Sequence, residues 1–124
     1  RAAGDGWPAV YLGNHDQPRM VSRFGSDAPE HRENAAKMLA TFLLTMRGTP
    51  FWLAGDEIGM SNIRFENIDD YNDIDTRNRY LQIRKEGGDL KAFLEEQKQT
   101  ARDNARTPFQ WDGSGRGSPL GCLG

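Results

Sequence analysis

Two short polar strings hold groups equipped for chemistry. Asn14-His15-Asp16 sets an amide, an imidazole and a carboxylate side by side, and Asp56-Glu57 pairs two carboxylates. A two-metal centre would use such donors, but holding cations about 3.5–4 Å apart takes several more histidines and aspartates in separate blocks. Beyond His15 the chain offers only His31. A single cysteine, Cys122, excludes an internal disulfide and any multi-thiolate centre, so no metal and no cofactor is expected. The plain reading of Asn14-His15-Asp16 is a capped turn with a hydrogen-bonded imidazole, and the sharper reading makes it part of a ligand site.

Both strings follow directly on short apolar runs. Ala9-Val10-Tyr11-Leu12, ended by Gly13, and Thr49 to Ala54, closed by Gly55, are short enough to be strands buried on both faces. Pro50 is tolerable among the first residues of a strand. Between them, Glu30 to Arg47 spaces Ala35, Met38, Leu39, Phe42, Leu43 and Met46 three and four apart, which predicts a helix with one stripe on a core. Asp27 is placed to cap it, with Pro29 in the first turn, and Gly48 and Pro50 stop it. Strand, helix and strand in that order form a βαβ unit with parallel strands. Both polar strings then lie at the carboxyl ends of their strands, the edge on which α/β folds bind ligands.

Further on, Asn62 to Tyr71 reads as a polar loop and Asp73 to Lys85 as a helix broken by Gly87-Gly88. Asp89 caps another helix with Leu90, Phe93 and Leu94 on one stripe. Two strands cannot form a doubly covered parallel sheet, so the chain is expected to be incomplete.

Composition narrows the function classes. The 124 residues are 36% hydrophobic and 27% charged, the make-up of one ordinary globular unit. Sixteen basic against eighteen acidic residues leave a net charge of -2, so no basic field draws the chain to nucleic acid or an anionic membrane. No apolar run approaches the roughly 20 residues that span a bilayer. Residues Arg1 to Trp7 lack the apolar stretch of a leader, which leaves the compartment open with a lean to the cytoplasm.

Longer blocks carry a resemblance. Tyr11 to Arg19, Val21-Ser22-Arg23-Phe24-Gly25, Ala36 to Ala40, Gly48-Thr49-Pro50, Gly55 to Met60, Asn62 to Glu66 and Ala101 to Trp111 resemble, in order, the oligo-1,6-glucosidase and alpha-glucosidase branch of the alpha-amylase family. Gly13 to Asp16 alone also resembles one block of the calcineurin-like metallophosphoesterases, whose other blocks are absent here.

The alpha-amylase resemblance implies an α/β chain forming the last two βα units of a TIM-type (β/α)8 barrel over residues 1–112. Residues 113–124, which depart from the family's pattern, are expected to be an unstructured tail from truncation, frameshift or addition. It implies that Asp16 is the carboxylate that stabilises the transition state and that His15 and Arg102 bind the substrate, with Arg106 able to share that role. Asp56 and Glu57 fall in the eighth-strand block as pocket-wall residues, Glu57 the better functional candidate, with a carboxylate that merely holds loop backbone as an equal alternative. Asp75, in Asp73-Ile74-Asp75, stands where many relatives have a glutamate one methylene longer, which bears on linkage preference. Trp52 is expected in the core, while Tyr71 and Trp111 could stack on sugar. The nucleophilic aspartate and the acid glutamate belong to blocks upstream of Ala9, so activity requires that missing barrel segment. The implied partner is an oligosaccharide. The alternatives are a fragment of a trehalose-6-phosphate hydrolase and a non-catalytic sugar-binding remnant.

Overall fold

A computed structural model describes residues 6–111, and the expected tail at 113–124 lies outside the described residues. Its order is β1 (Ala9–Val10), α1 (Met20–Phe24), α2 (Arg32–Thr45), β2 (Thr49–Pro50), α3 (Ile74–Lys85) and α4 (Leu90–Thr100). Single 3-10 turns lie at Asp56–Ile58, Ile68–Asp70 and Arg102–Ala105.

The expected parallel unit is present, with Ala9 opposite Thr49 and Val10 opposite Pro50. The donors to β1 are Thr49 N–H, to Pro8 O at 2.9 Å, and Phe51 N–H, to Val10 O at 2.8 Å. This register explains why a proline sits inside the strand: the N–H it lacks is not one that β1 needs. The ladder is shorter than the apolar runs predict, and Tyr11-Leu12 and Trp52 to Ala54 continue past it outside the strands. Burial on both faces is not found either, since Ala9, Thr49, Pro50 and Phe51 are exposed. Within the described residues each strand has only the other as a hydrogen-bonded neighbour.

The helix between them starts two residues later than its periodicity suggests, and Asp27 does not cap it. The Asp27 carboxylate is taken by Arg64 Nη2, at 2.8 Å from both oxygens, and by Ser22 Oγ at 2.6 Å. His31 holds the cap position without a side-chain bond. Only part of the stripe is buried: Leu39 and Leu43 are enclosed while Met38 and Phe42 are exposed. The core around Leu39 is completed by Met20 and Val21 of α1, a one-turn helix with too few residues to show a period. Leu12, Ala35, Ala36 and Trp52 pack on it, Trp52 only half-buried rather than within the core as expected. The approach of α1 to α2 depends on Gly25, where an added Cβ would lie 2.9 Å from Ala35 Cβ and 3.1 Å from Val21 O.

The last two helices begin as their sequences predict. Asp73 accepts from Thr76 N–H at the start of α3, and Asp89 accepts from the N–H groups of Lys91 and Ala92 at the start of α4. The Tyr80 and Phe93 rings, 6.1 Å apart, join the two helices.

Replacing Asp89 by alanine leaves two first-turn donors of α4 unpaired, at a cost of about 1 kcal/mol. Hydrogen exchange at Lys91 and Ala92 should then accelerate about fivefold while the α2 amides keep their rates. Equal rates in both proteins would show that the cap adds nothing.

Candidate functional site

The loop after β1 is folded by its own asparagine. Asn14 Oδ1 accepts the N–H of Asp16 at 2.9 Å and Asn14 O accepts that of Gln17 at 3.2 Å, an Asx-type turn that presents the Asp16 carboxylate. His15 Nε2 lies 3.3 Å from Asp16 Oδ2. Arg106 reaches in from the far end of the chain: its Nε donates to His15 O at 2.9 Å and its Nη2 to Asp16 Oδ1 at 2.8 Å. One rigid guanidinium thus fixes both the backbone and the carboxylate of this loop. Arg102 Nη1 approaches the same oxygen at 3.8 Å. Asp16 nevertheless keeps 52% of its side chain exposed, so the carboxylate stays open to a ligand.

Arg102 does more than flank Asp16. Its Nε donates to Asp73 Oδ1 at 2.9 Å, its Nη2 lies 2.8 Å from the same oxygen, and Nη2 donates to Asp75 Oδ2. Asp73 is buried and accepts from Thr76 Oγ1 at 2.9 Å as well. Burial alone would raise its carboxyl, but the hydrogen bonds from Arg102 and Thr76 outweigh that and hold it below the usual carboxylate range. The same bond to Asp73 raises the Arg102 guanidinium. Asp103 supports the arrangement, its Oδ2 accepting the N–H groups of Asn72 and Asp73 at 2.8 Å each. The start of α3 is in this way pinned to the turn that carries Arg102.

The second polar string lies elsewhere. Asp56 is buried with Oδ1 3.5 Å from Nη1 of Arg19, a side chain only 1% exposed that also donates to Ala54 O at 2.7 Å. Burial lowers Arg19 and raises Asp56, each against the pull of the other's charge. Among the described residues Arg19 Nε has no hydrogen-bond partner. Glu57 is exposed, and its Oε2 accepts the N–H of Gly55 at 2.8 Å, the geometry of a carboxylate that holds loop backbone. Gly55 and Gly59 bracket this turn with φ of 100° and 67°, values that favour glycine. Glu57 lines a depression against α2, and among the described residues no hydrogen bond or ion pair joins it to the Asp16 group.

Of the residues singled out from sequence, the structure therefore brings together Asp16, His15, Arg102 and Asp75, with Arg106, and sets Glu57 apart. A cleft of about 370 Å³ opens beside the loop, lined by Tyr11, Asn14, His15, Phe51 and Trp52. A carboxylate, an imidazole and forked donors beside aromatic rings suit a polyhydroxylated ligand. Tyr71 cannot stack on such a ligand: it is fully buried, its hydroxyl donates to Phe65 O at 3.3 Å, and burial pushes its phenol up to about 12. Trp111 is exposed. Asp73, Asp103 and Arg19 were not identified as site-forming from the sequence. Asp73 was read only as the first residue of a helix, and its pairing with Arg102 spans two helices and leaves no local signal.

The Asp73 carboxyl is depressed in the folded chain, so its stabilising effect is complete above the ordinary value of about 3.9 and is lost as pH falls through the lower folded value. Asp73→Asn should flatten that acid limb in unfolding measurements across the acid range. An unchanged limb would show that the Arg102 bond does not stabilise the fold.

Comparison with known proteins gives a consistent result. Residues 1–118 match the model of the alpha-amylase catalytic domain. The chain is 54% identical over 112 residues to the oligo-1,6-glucosidase of Parageobacillus thermoglucosidasius, covering 90% of this chain and 20% of that protein. It is 49% identical over 105 residues to the trehalose-6-phosphate hydrolase of Escherichia coli strain K12, covering 85% of this chain and 19% of that one. Among solved structures, the trehalulose synthase MutB of Pseudomonas mesoacidophila MX-45 superposes with a TM-score of 0.85 at 46% identity, covering 94% of this chain and 21% of that one. The chain thus spans about a fifth of the length of its curated relatives. A family model spanning nearly the whole sequence, and an α/β structure that superposes on a member of known structure, place this chain in the alpha-amylase family, within its catalytic domain.

Proposed function

We propose that residues 1–112 form the last two βα units of a (β/α)8 barrel, and that Asp16 stabilises the transition state of a retaining alpha-glucosidase. The observation that carries this reading is the setting of Asp16. It sits just past the carboxyl end of a parallel strand, is held by Arg106 and flanked by Arg102, and keeps half its surface free. A fixed negative charge of this kind favours the oxocarbenium-like centre that forms when a glycosidic bond breaks. His15 and Arg102 would hold sugar hydroxyls around it. The nucleophile and the acid/base, about 5–5.5 Å apart in retaining enzymes, would come from the preceding barrel strands.

The substrate class is a short α-linked oligosaccharide, in keeping with relatives named oligo-1,6-glucosidase. Asp75 shares the Arg102 guanidinium with Asp73, so its carboxylate has less freedom toward a leaving sugar than an unpaired one. Neither nucleic acid nor a membrane is a partner in this reading. The chain carries a net charge of -2, and no helix among the described residues is long and apolar enough to cross a membrane.

The test is a graft in which residues 1–112 replace the matching segment of the Parageobacillus thermoglucosidasius oligo-1,6-glucosidase. The graft should hydrolyse p-nitrophenyl α-glucoside, and Asp16→Asn should reduce kcat about 100- to 1000-fold without loss of fold. A graft whose kcat survives that substitution would refute the role of Asp16. Comparing isomaltose with trehalose 6-phosphate separates the two hydrolase readings, and isomaltose is expected to be the better substrate.

A further inference from the structure

Asp16 and Arg102 sit on segments far apart in sequence, yet their charged atoms lie 3.8 Å apart. A buried amide joins the two segments. Asn62, 7% exposed, accepts the Arg19 N–H at its Oδ1 at 2.9 Å. Its Nδ2 donates to the carbonyls of Lys98 and Gln99 at 3.2 and 3.3 Å. The backbone N–H of Asn62 is itself anchored to Ser22 Oγ at 2.9 Å. One end of the amide thus holds the loop three residues beyond Asp16, a loop stiffened by Pro18. The other end holds the last turn of α4, three residues before Arg102, with buried Ala101 between.

We infer that Asn62 is a positioning residue whose amide sets Arg102 against Asp16, a role that rests on the reading of Asp16 proposed above. The side-chain type is specific to the task. An aspartate would still accept from Arg19 but would turn an oxygen on two carbonyl oxygens, and a leucine would offer neither function. The Asn62 amide bonds backbone groups and neither the Asp16 carboxylate nor the Arg102 guanidinium, so it acts on where the pair stands.

The experiment is Asn62→Asp in the graft described above, read by steady-state kinetics at a temperature where it stays folded and by its crystal structure. Displacing a transition-state group by about 1 Å costs on the order of 100-fold. The variant should therefore lose kcat by about that factor while KM changes little, with the Asp16 to Arg102 separation lengthened. An unchanged kcat, or an unchanged separation accompanied only by a lower Tm, overturns the inference. If Asn62→Asp does not fold, Asn62→Ala removes both arms without adding charge and is judged by the same two readings. A graft inactive before any substitution counts against the glucosidase reading alone, and the separation in the variant then decides whether Asn62 positions the pair.

Discussion

Three aspartates, Asp16, Asp73 and Asp75, converge on one guanidinium, and the arrangement of the site depends on how that cation is shared. Carboxylates brought this close repel one another and cannot all remain charged without a counterion. Arg102 supplies it permanently, because a guanidinium stays protonated across the accessible pH range and its planar fork can serve several oxygens at once. Arg106 adds a second cation on the side of Asp16, away from the start of α3. The repulsion among these carboxylates is offset within the cluster, and half of the Asp16 side chain stays exposed.

A different balance rules the Arg19 and Asp56 pair. Arg19 and Asp56 lie out of solvent, and their separation of 3.5 Å with an unpartnered Nε is a loose fit for a buried ion pair. Desolvation of both partners offsets much of such an attraction, so its value lies less in net stability than in fixing which loop meets which. Arg19 ties its own segment to the Ala54 carbonyl and, through its N–H, to Asn62. The two groups thus differ in exposure: the Asp16 and Arg102 charges reach solvent, and the Arg19 and Asp56 pair keeps loops in place.

What was legible in the sequence follows the range of the interactions. The cap at Asp89 and the stop at Gly87-Gly88 are local and stand where residue type and spacing put them, and the parallel pairing of β1 and β2 follows from the strand, helix, strand order. Contacts that join distant segments left no trace in any window. Asp27 looked like a helix cap and instead pairs with Arg64 from another loop, and α1 is too short to display a period. His15 and Asp16 drew notice through residue type and their place after a strand, their roles and Arg102 came from a resemblance to known proteins, and Asp73 and Asn62 gain their meaning only from the fold. The strands were read as buried because apolar runs imply neighbours, yet within the described residues those neighbours are not there to be seen.

The place of Pro50 has a bearing on the side of β2 turned away from β1. Groups along a strand alternate in direction, so while Thr49 and Phe51 point their donors at β1, residue 50 faces the opposite way. On that side the strand presents a carbonyl without the accompanying N–H. A further strand laid alongside must leave one acceptor unanswered there, which penalises any register that needs it and makes this edge a poor template for another copy of the chain. One imino acid, silent in the ladder it belongs to, thereby restricts which strand can join next.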